Sequence, residues 1–315
     1  MAGWRKTIVA AALLAALPLA VGQAAAQDGL KHIKMLYTAV NGFATAYVAQ
    51  EQGMFKKRGL DVEFVLTASS GNNPPALVSG SVQIAGPTIP TLLAANDAGL
   101  DLVVFGSGGV YPLQGDVLVA RYGSGIKSPK DLKGKTVGVP GLGALLDFML
   151  RRNLKANGVD PSTVKFVEVG FVQAGDALKS GRIDAYPAQL PFTTRIIQSK
   201  QGYEVANWLK DTPDGTLTVV YAATRKWAEA NRDTIAKIRS ALKEANDYIK
   251  AGHPDEVAAA VAKYTHLPAK IVAMVPLPNM QVEVTAKQIQ FWIDLMKQEK
   301  AIKGSPDAQK ILFEP

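Results

Sequence analysis

Three histidines, His32, His253 and His266, are the side chains best suited to bind a metal or move a proton. None has the second histidine at i+4 and the acidic companion that place metalloprotease ligands on one helix face. The chain contains no cysteine, so disulfides, thiolate metal sites, a thiol nucleophile and a lipid-modified N-terminal cysteine are all excluded. No G-x-S-x-G elbow occurs, and no segment brings a serine, a histidine and an acid together. Asp147 and Asp176 fall a few residues into helical patterns, where a carboxylate ordinarily stabilises the helix start. Gly134-Lys135-Thr136 copies the end of a phosphate loop, but position 129 is Pro and the tripeptide leads into a strand pattern, not a helix. Gly141-Leu142-Gly143 does follow a strand pattern and open a helix. Leu146, however, stands where a dinucleotide fingerprint needs its third glycine. Its simplest use is a helix N-terminus presented to a ligand. These residues predict no catalytic group, no metal and no cofactor.

Six segments placed beyond the carboxyl ends of the strand patterns carry no charge: Thr38 to Ala44, Thr67 to Pro75, Gly86 to Thr91, Pro140 to Ala144, Val169 to Gly175 and Ala188 to Thr194. The connections at the other strand ends, such as KKRGLD, KANGVD and SGRID, are rich in Lys, Arg and Asp. About a quarter of residues in an average protein are charged, so six neutral loops on one side predict a shared lining. In open α/β sheets ligands bind at that side, among free helix N-termini. The predicted contacts are Asn41, Gly42, Phe43, Ser69, Ser70, Asn72 and Thr88 from the first half of the chain. From the second half they are Gly141, Gly143, Phe171, Gln173, Tyr186, Gln189 and Phe192. Apolar rings with a few fixed hydroxyls and amides suit a small organic molecule.

The elements that hold these loops repeat. Short β-branched runs at Ile33 to Tyr37, Val62 to Leu66, Val82 to Ala85 and Leu102 to Phe105 alternate with helical patterns, the rhythm of a mostly parallel sheet covered on both faces. Ala76-Leu77-Val78-Ser79-Gly80-Ser81-Val82 returns as Ala177-Leu178-Lys179-Ser180-Gly181-Arg182-Ile183, and Gly59-Leu60-Asp61 returns as Gly158-Val159-Asp160. Two segments in register predict two similar α/β lobes. Strands at Asp116 to Ala120 and Leu217 to Ala223 are read as the crossings between them. Helices at Asp233 to Ala251, Pro254 to Tyr264 and Thr285 to Glu299 then return to brace the first lobe. The expected boundaries are 27–114 with 223–315 for the first lobe and 115–222 for the second.

Arg5 and Lys6, the apolar run Ile8 to Val21 and Ala24-Ala25-Ala26 predict a cleavable secretory signal over 1–26, with the product in the periplasm and without a lipid anchor. The formal charge of +8 includes Arg5 and Lys6. The basic clusters Lys56-Lys57-Arg58 and Arg151-Arg152 are short and lack interleaved aromatics, which argues against nucleic acid as a partner.

Gly53-Met54-Phe55-Lys56-Lys57-Arg58-Gly59-Leu60-Asp61-Val62-Glu63 resembles the G-x-F-x-x-x-G-L-x-V-E signature of the sulfonate, taurine and nitrate family of ABC-transporter periplasmic substrate-binding proteins, which also includes pyrimidine-precursor binders. The resemblance continues through Ala76 to Gly80, Ser128 to Lys135 and Ala177 to Ala185. It implies a two-lobed type II periplasmic-binding fold, α/β, each lobe a mixed, mostly parallel sheet flanked by helices. The partners it implies are a small-molecule ligand and an inner-membrane permease with its ATPase, and the chain is expected to act as a monomer. The implied ligand is a small organic anion, an alkanesulfonate or related carboxylate. A pyrimidine-like or aromatic compound is the alternative, as is a cysteine-independent enzyme on the same scaffold. Relatives often carry Trp-Glu-Pro where this chain has Gln189-Leu190-Pro191, and enzymes related to the family depend on cysteine, which is absent here.

Overall fold

The computed structural model describes residues 29–111, 115–209, 212–277 and 279–315. The segment expected to be a secretory signal lies outside them. The first half of the chain forms β1 (Lys31–Tyr37), α1 (Ala44–Glu51), β2 (Leu60–Leu66), α2 (Asn73–Val78), β3 (Ile84–Ala85), α3 (Ile89–Asp97) and β4 (Leu102–Ser107). A second run forms β5 (Val117–Ala120), β6 (Thr136–Val139), α4 (Leu145–Ala156), β7 (Lys165–Glu168), α5 (Phe171–Lys179), β8 (Ala185–Ala188), α6 (Phe192–Gln198) and β9 (Tyr203–Ala206). The chain closes with β10 (Val220–Thr224), α7 (Arg225–Ala230), α8 (Arg232–Lys250), α9 (Pro254–Thr265), α10 (Ala269–Val272), α11 (Ala286–Gln298) and α12 (Ala308–Ile311).

Two five-stranded sheets result, ordered β2-β1-β3-β10-β4 and β7-β6-β8-β5-β9. Three neighbours in each sheet run parallel, and the fourth position is taken by an antiparallel strand that has just arrived from the other lobe: β10 in the first, β5 in the second. The two sheets therefore share one plan, as the repeated segments predict. The repeat extends to single bonds. Gly80 and Gly181 both take left-handed backbone, with φ of 73° and 74°, which a side chain would strain. The turns they make let Val82 donate to the Ala76 carbonyl at 3.4 Å and Ile183 to the Ala177 carbonyl at 3.2 Å. Leu77 and Leu178 are buried at matching places.

The segments between the lobes lie side by side. Tyr111 N–H donates to Thr216 O at 2.9 Å and Gly215 N–H to Tyr111 O at 2.8 Å, while Val110 bridges antiparallel to Leu217. The tail then covers the first lobe. On α8, Ile235, Ile238, Leu242 and Ala245 recur every three or four residues and are fully buried. Thr285 and Gln288 form a reciprocal cap at the start of α11, and the Trp292 indole on that helix donates to Leu217 O at 2.9 Å. Among the described residues no helix is long and apolar enough to cross a membrane.

Candidate functional site

A cavity lies between the two sheets, lined by residues of both lobes. Six of the predicted contacts line it: Asn41, Gly42, Ser70, Thr88, Phe171 and Gln189. They come from loops more than a hundred residues apart in the chain because both sheets turn their carboxyl edges to the same gap.

The other predicted contacts have different places. Phe43 is fully buried in the first lobe, 6.1 Å from the Tyr47 ring and 6.0 Å from Tyr221. A β-carbon on Gly86 would fall 2.1 Å from the Phe43 ring, so this ring packs under the β3–α3 turn, outside the lining. Phe192 stacks behind Phe171 at 5.7 Å, and Tyr186 meets Phe171 edge-on at 5.9 Å with its hydroxyl donating to Val169 O at 2.9 Å. Phe171 is thus the ring that faces the gap, and the other two fix its position. Gln173 lines a smaller recess that shares Thr38 and Phe171 with the main cavity. Asn72 donates to Thr67 Oγ1 at 3.2 Å. Gly143, with φ of 73°, gives its N–H to Asp147 at 2.7 Å. Ser69 and Gly141 meet across the edge of the gap, a β-carbon on Gly141 falling 3.0 Å from Ser69 Oγ.

The expectation of an uncharged lining needs correction, because Asp116 lines the cavity. The reason is topological. β5 runs antiparallel to β8, with Val117 opposite Ala188, so the residue before β5 emerges beside Gln189, at the carboxyl edge of the parallel strands. The loops that leave the ends of strands do not include it. Thr218 and Val219, just before antiparallel β10, reach the cavity from the first lobe in the same way. Asp116 is 4% exposed. Burial pushes its carboxyl up to about 8, against the opposing effect of a 2.8 Å bond from the Gln189 amide and a bond from the Leu190 backbone. No Lys, Arg or His is among the described residues lining the cavity.

Three buried polar atoms on that lining have no partner in the protein: Thr38 Oγ1 and both the Oδ1 and Nδ2 of Asn41. Asn41 is 3% exposed. A desolvated amide left unpaired costs on the order of 1–3 kcal/mol, so this is a place where a ligand, or water in its absence, is needed to complete the structure. Thr88 Oγ1 accepts the Leu145 N–H at 3.2 Å, joining the start of α4 in the second lobe to the first. What this arrangement offers is paired donors and acceptors on an apolar floor. Among the described residues no group of three His, Asp or Glu is placed to hold a metal.

A family described as NMT1/THI5 like matches residues 41–257. A formylaminopyrimidine-binding protein of Halalkalibacterium halodurans is 33% identical over 139 residues, which are 44% of this chain and 41% of that protein. A Brucella abortus protein that bears the name "Putative binding protein" is 27% identical over 71% of this chain and 68% of its own length. Among solved structures, the alkanesulfonate-binding protein from Xanthomonas axonopodis pv. citri bound to MOPS superposes with a TM-score of 0.75 at 19% identity, covering 90% of this chain and 98% of that one. That similarity establishes the two-lobed α/β periplasmic-binding fold.

Proposed function

The chain belongs to the NMT1/THI5-like family, and from that premise we propose that it is the solute-binding component of an ABC importer, holding an aminopyrimidine-like heterocycle between its lobes and performing no chemistry on it. The observation that carries this reading is the unpartnered Asn41 amide, set in a cavity where the buried Asp116 is the one ionisable group among the described lining residues. At neutral pH the protonated carboxyl can donate and accept, as the amide can. A flat ring bearing an acceptor nitrogen and an exocyclic amino donor matches two such groups, and Phe171 supplies an apolar face for it. The formylaminopyrimidine-binding relative supports the same chemical class.

An alkanesulfonate or carboxylate, the ligand first implied by the resemblance, fits less well. No basic side chain is among the described residues lining the cavity to receive it, and the Asp116 carboxyl, protonated at neutral pH, offers no positive charge. In this reading the signal over 1–26 exports the protein to the periplasm, the lobes divide near residues 115 and 222, and a permease with its ATPase takes the ligand from the closed monomer. That the two relatives compared above are named for binding speaks against an enzyme.

Thermal unfolding with cytosine, adenine, ethanesulfonate and benzoate tests the assignment. A ligand at a hundred times its Kd stabilises by about 2.7 kcal/mol, a shift of several degrees. Stabilisation by cytosine, and by neither ethanesulfonate nor benzoate, is expected. Stabilisation by ethanesulfonate alone would sink this reading in favour of the anion.

A further inference from the structure

Two acids are buried among the described residues, Asp116 and Asp147. Asp147 has what a buried carboxylate ordinarily needs, the Arg151 guanidinium at 2.8 Å and the Gly143 N–H at 2.7 Å. The partly buried Asp184 is likewise paired, with Arg121 at 2.9 Å. Asp116 differs. Its Oδ2 accepts the neutral Gln189 amide at 2.8 Å, the Leu190 backbone adds a second bond, and no Lys, Arg or His stands among the described residues of the cavity it lines. The titratable group beside it is the buried Tyr111 phenol, whose proton is held well above the ordinary tyrosine range by its own desolvation first and by Asp116 second, so it is a neutral neighbour. Pro112-Leu113-Gln114, between the two in the sequence, have no ionisable side chain. The approach of Asp116 to the Leu190 turn depends on its neighbour: Gly115 has φ of 75°, and a β-carbon there would lie 2.8 Å from the Leu190 side chain. A buried carboxyl that faces a ligand cavity without a cation of its own leaves the countercharge to the ligand.

We propose that Asp116 receives a basic nitrogen of the ligand, which narrows the substrate class to heterocycles that take up a proton on a ring nitrogen beside an amino group, as amidines do. The inference rests on the binding reading of the cavity and deepens it. In the complex the carboxyl O–H bond breaks and a ring N–H bond forms; the proton passes from one to the other and no other bond changes. The amidinium and the carboxylate then share charge-assisted hydrogen bonds, about twice as strong as neutral ones. The unpartnered Asn41 Oδ1 is an acceptor for a further N–H. Neutral lactams such as uracil lack the basic nitrogen and are excluded.

Cytosine and benzamidine test this with opposite signs. Cytosine is neutral in solution near neutral pH, so its complex keeps the proton that the free carboxyl gives up near pH 8. Its affinity should be level at neutral pH and fall about tenfold per unit above pH 8, one proton being taken up on binding. Benzamidine carries a fixed positive charge and needs the ionised carboxylate. It should bind with release of one proton, its affinity rising about tenfold per unit up to pH 8 and then levelling. Calorimetric titration in two buffers of different ionisation heat counts these protons. Protonated cytosine absorbs at longer wavelength than neutral cytosine, and the bound molecule should show the protonated band at neutral pH. Asp116→Asn, its fold checked by melting, is expected to abolish both slopes and to weaken benzamidine binding above pH 8 by about tenfold or more; the slopes and the spectrum are read on the parent chain and decide the matter even if that variant fails to fold. Cytosine bound with its neutral spectrum and without proton uptake above pH 8 overturns the inference and leaves the aminopyrimidine reading standing. Benzamidine bound with the rising slope where cytosine does not bind keeps Asp116 as the acceptor of a basic nitrogen and overturns the ring that the binding reading assigns. Failure of both probes at millimolar concentration overturns both.

Discussion

Asn41 and Asp116 put opposite demands on the protein, and each can be tested by itself. The Asn41 amide is desolvated in the folded chain without a protein partner, so its value lies in what it binds. Asn41→Ala is expected to weaken ligand binding by about tenfold to a hundredfold, the cost of losing one or two buried hydrogen bonds, while ligand-free stability changes little. Calorimetric titration beside thermal unfolding checks both; unchanged affinity would remove Asn41 from the site. Asp116 titrates in the folded protein at about 8 because burial penalises its charge, whereas an unfolded chain releases the same proton near pH 4. Between those values the folded state holds a proton that the unfolded state has lost. The contribution is therefore fully present below about pH 4 and is lost as pH rises toward 8, at up to about 1.4 kcal/mol per unit. Asp116→Asn should flatten this decline and exceed the parent chain in stability near pH 8. Parallel melting curves for the two proteins across that window would show that the carboxyl carries no such burden.

The elements are largely legible in the sequence, because helix and strand periods differ and the punctuation is ordinary: the tail helices expected at 233–251, 254–264 and 285–299 form at Arg232–Lys250, Pro254–Thr265 and Ala286–Gln298. The site is legible only in part. Loops after parallel strands stand out by their neutrality, but residues that precede the antiparallel strands β5 and β10 do not. Strand direction depends on pairing across the chain, which a local pattern does not carry. A ring after a strand also says nothing about which way it points. Phe171 faces the gap, whereas Phe43, with a similar local setting, is spent under the Gly86 turn. Phe43→Leu is accordingly expected to cost about 1–2 kcal/mol of stability and to leave ligand affinity within a factor of two. A loss of affinity as large as that of Asn41→Ala would return Phe43 to the lining.

At the scale of the molecule, what matters is how two similar lobes are kept in one arrangement. The paired crossings tie them covalently, and α4 ties them through its packing. Its first N–H reaches Thr88, its Phe148 ring lies 6.0 Å from Trp292 of α11, and its last turns place Arg152 and Lys155 at 3.6 Å and 2.9 Å from Glu299. One helix thus joins the cavity at its start to an ion-pair cluster near its end. Glu299 is 17% exposed while its partners are about half exposed, so the cluster is worth on the order of 1 kcal/mol at low ionic strength. These contacts exist in the arrangement that encloses the cavity between the sheets, so their loss should tilt the molecule toward lobes apart, and the fraction competent to hold ligand should fall with it. Glu299→Gln is expected to raise the apparent Kd by about threefold to fivefold, the equivalent of roughly 1 kcal/mol. That difference should vanish near 1 M salt, where the screening length falls to about 3 Å. A variant that binds as the parent chain does at low salt would mean that the cluster survives separation of the lobes and has no part in setting their balance.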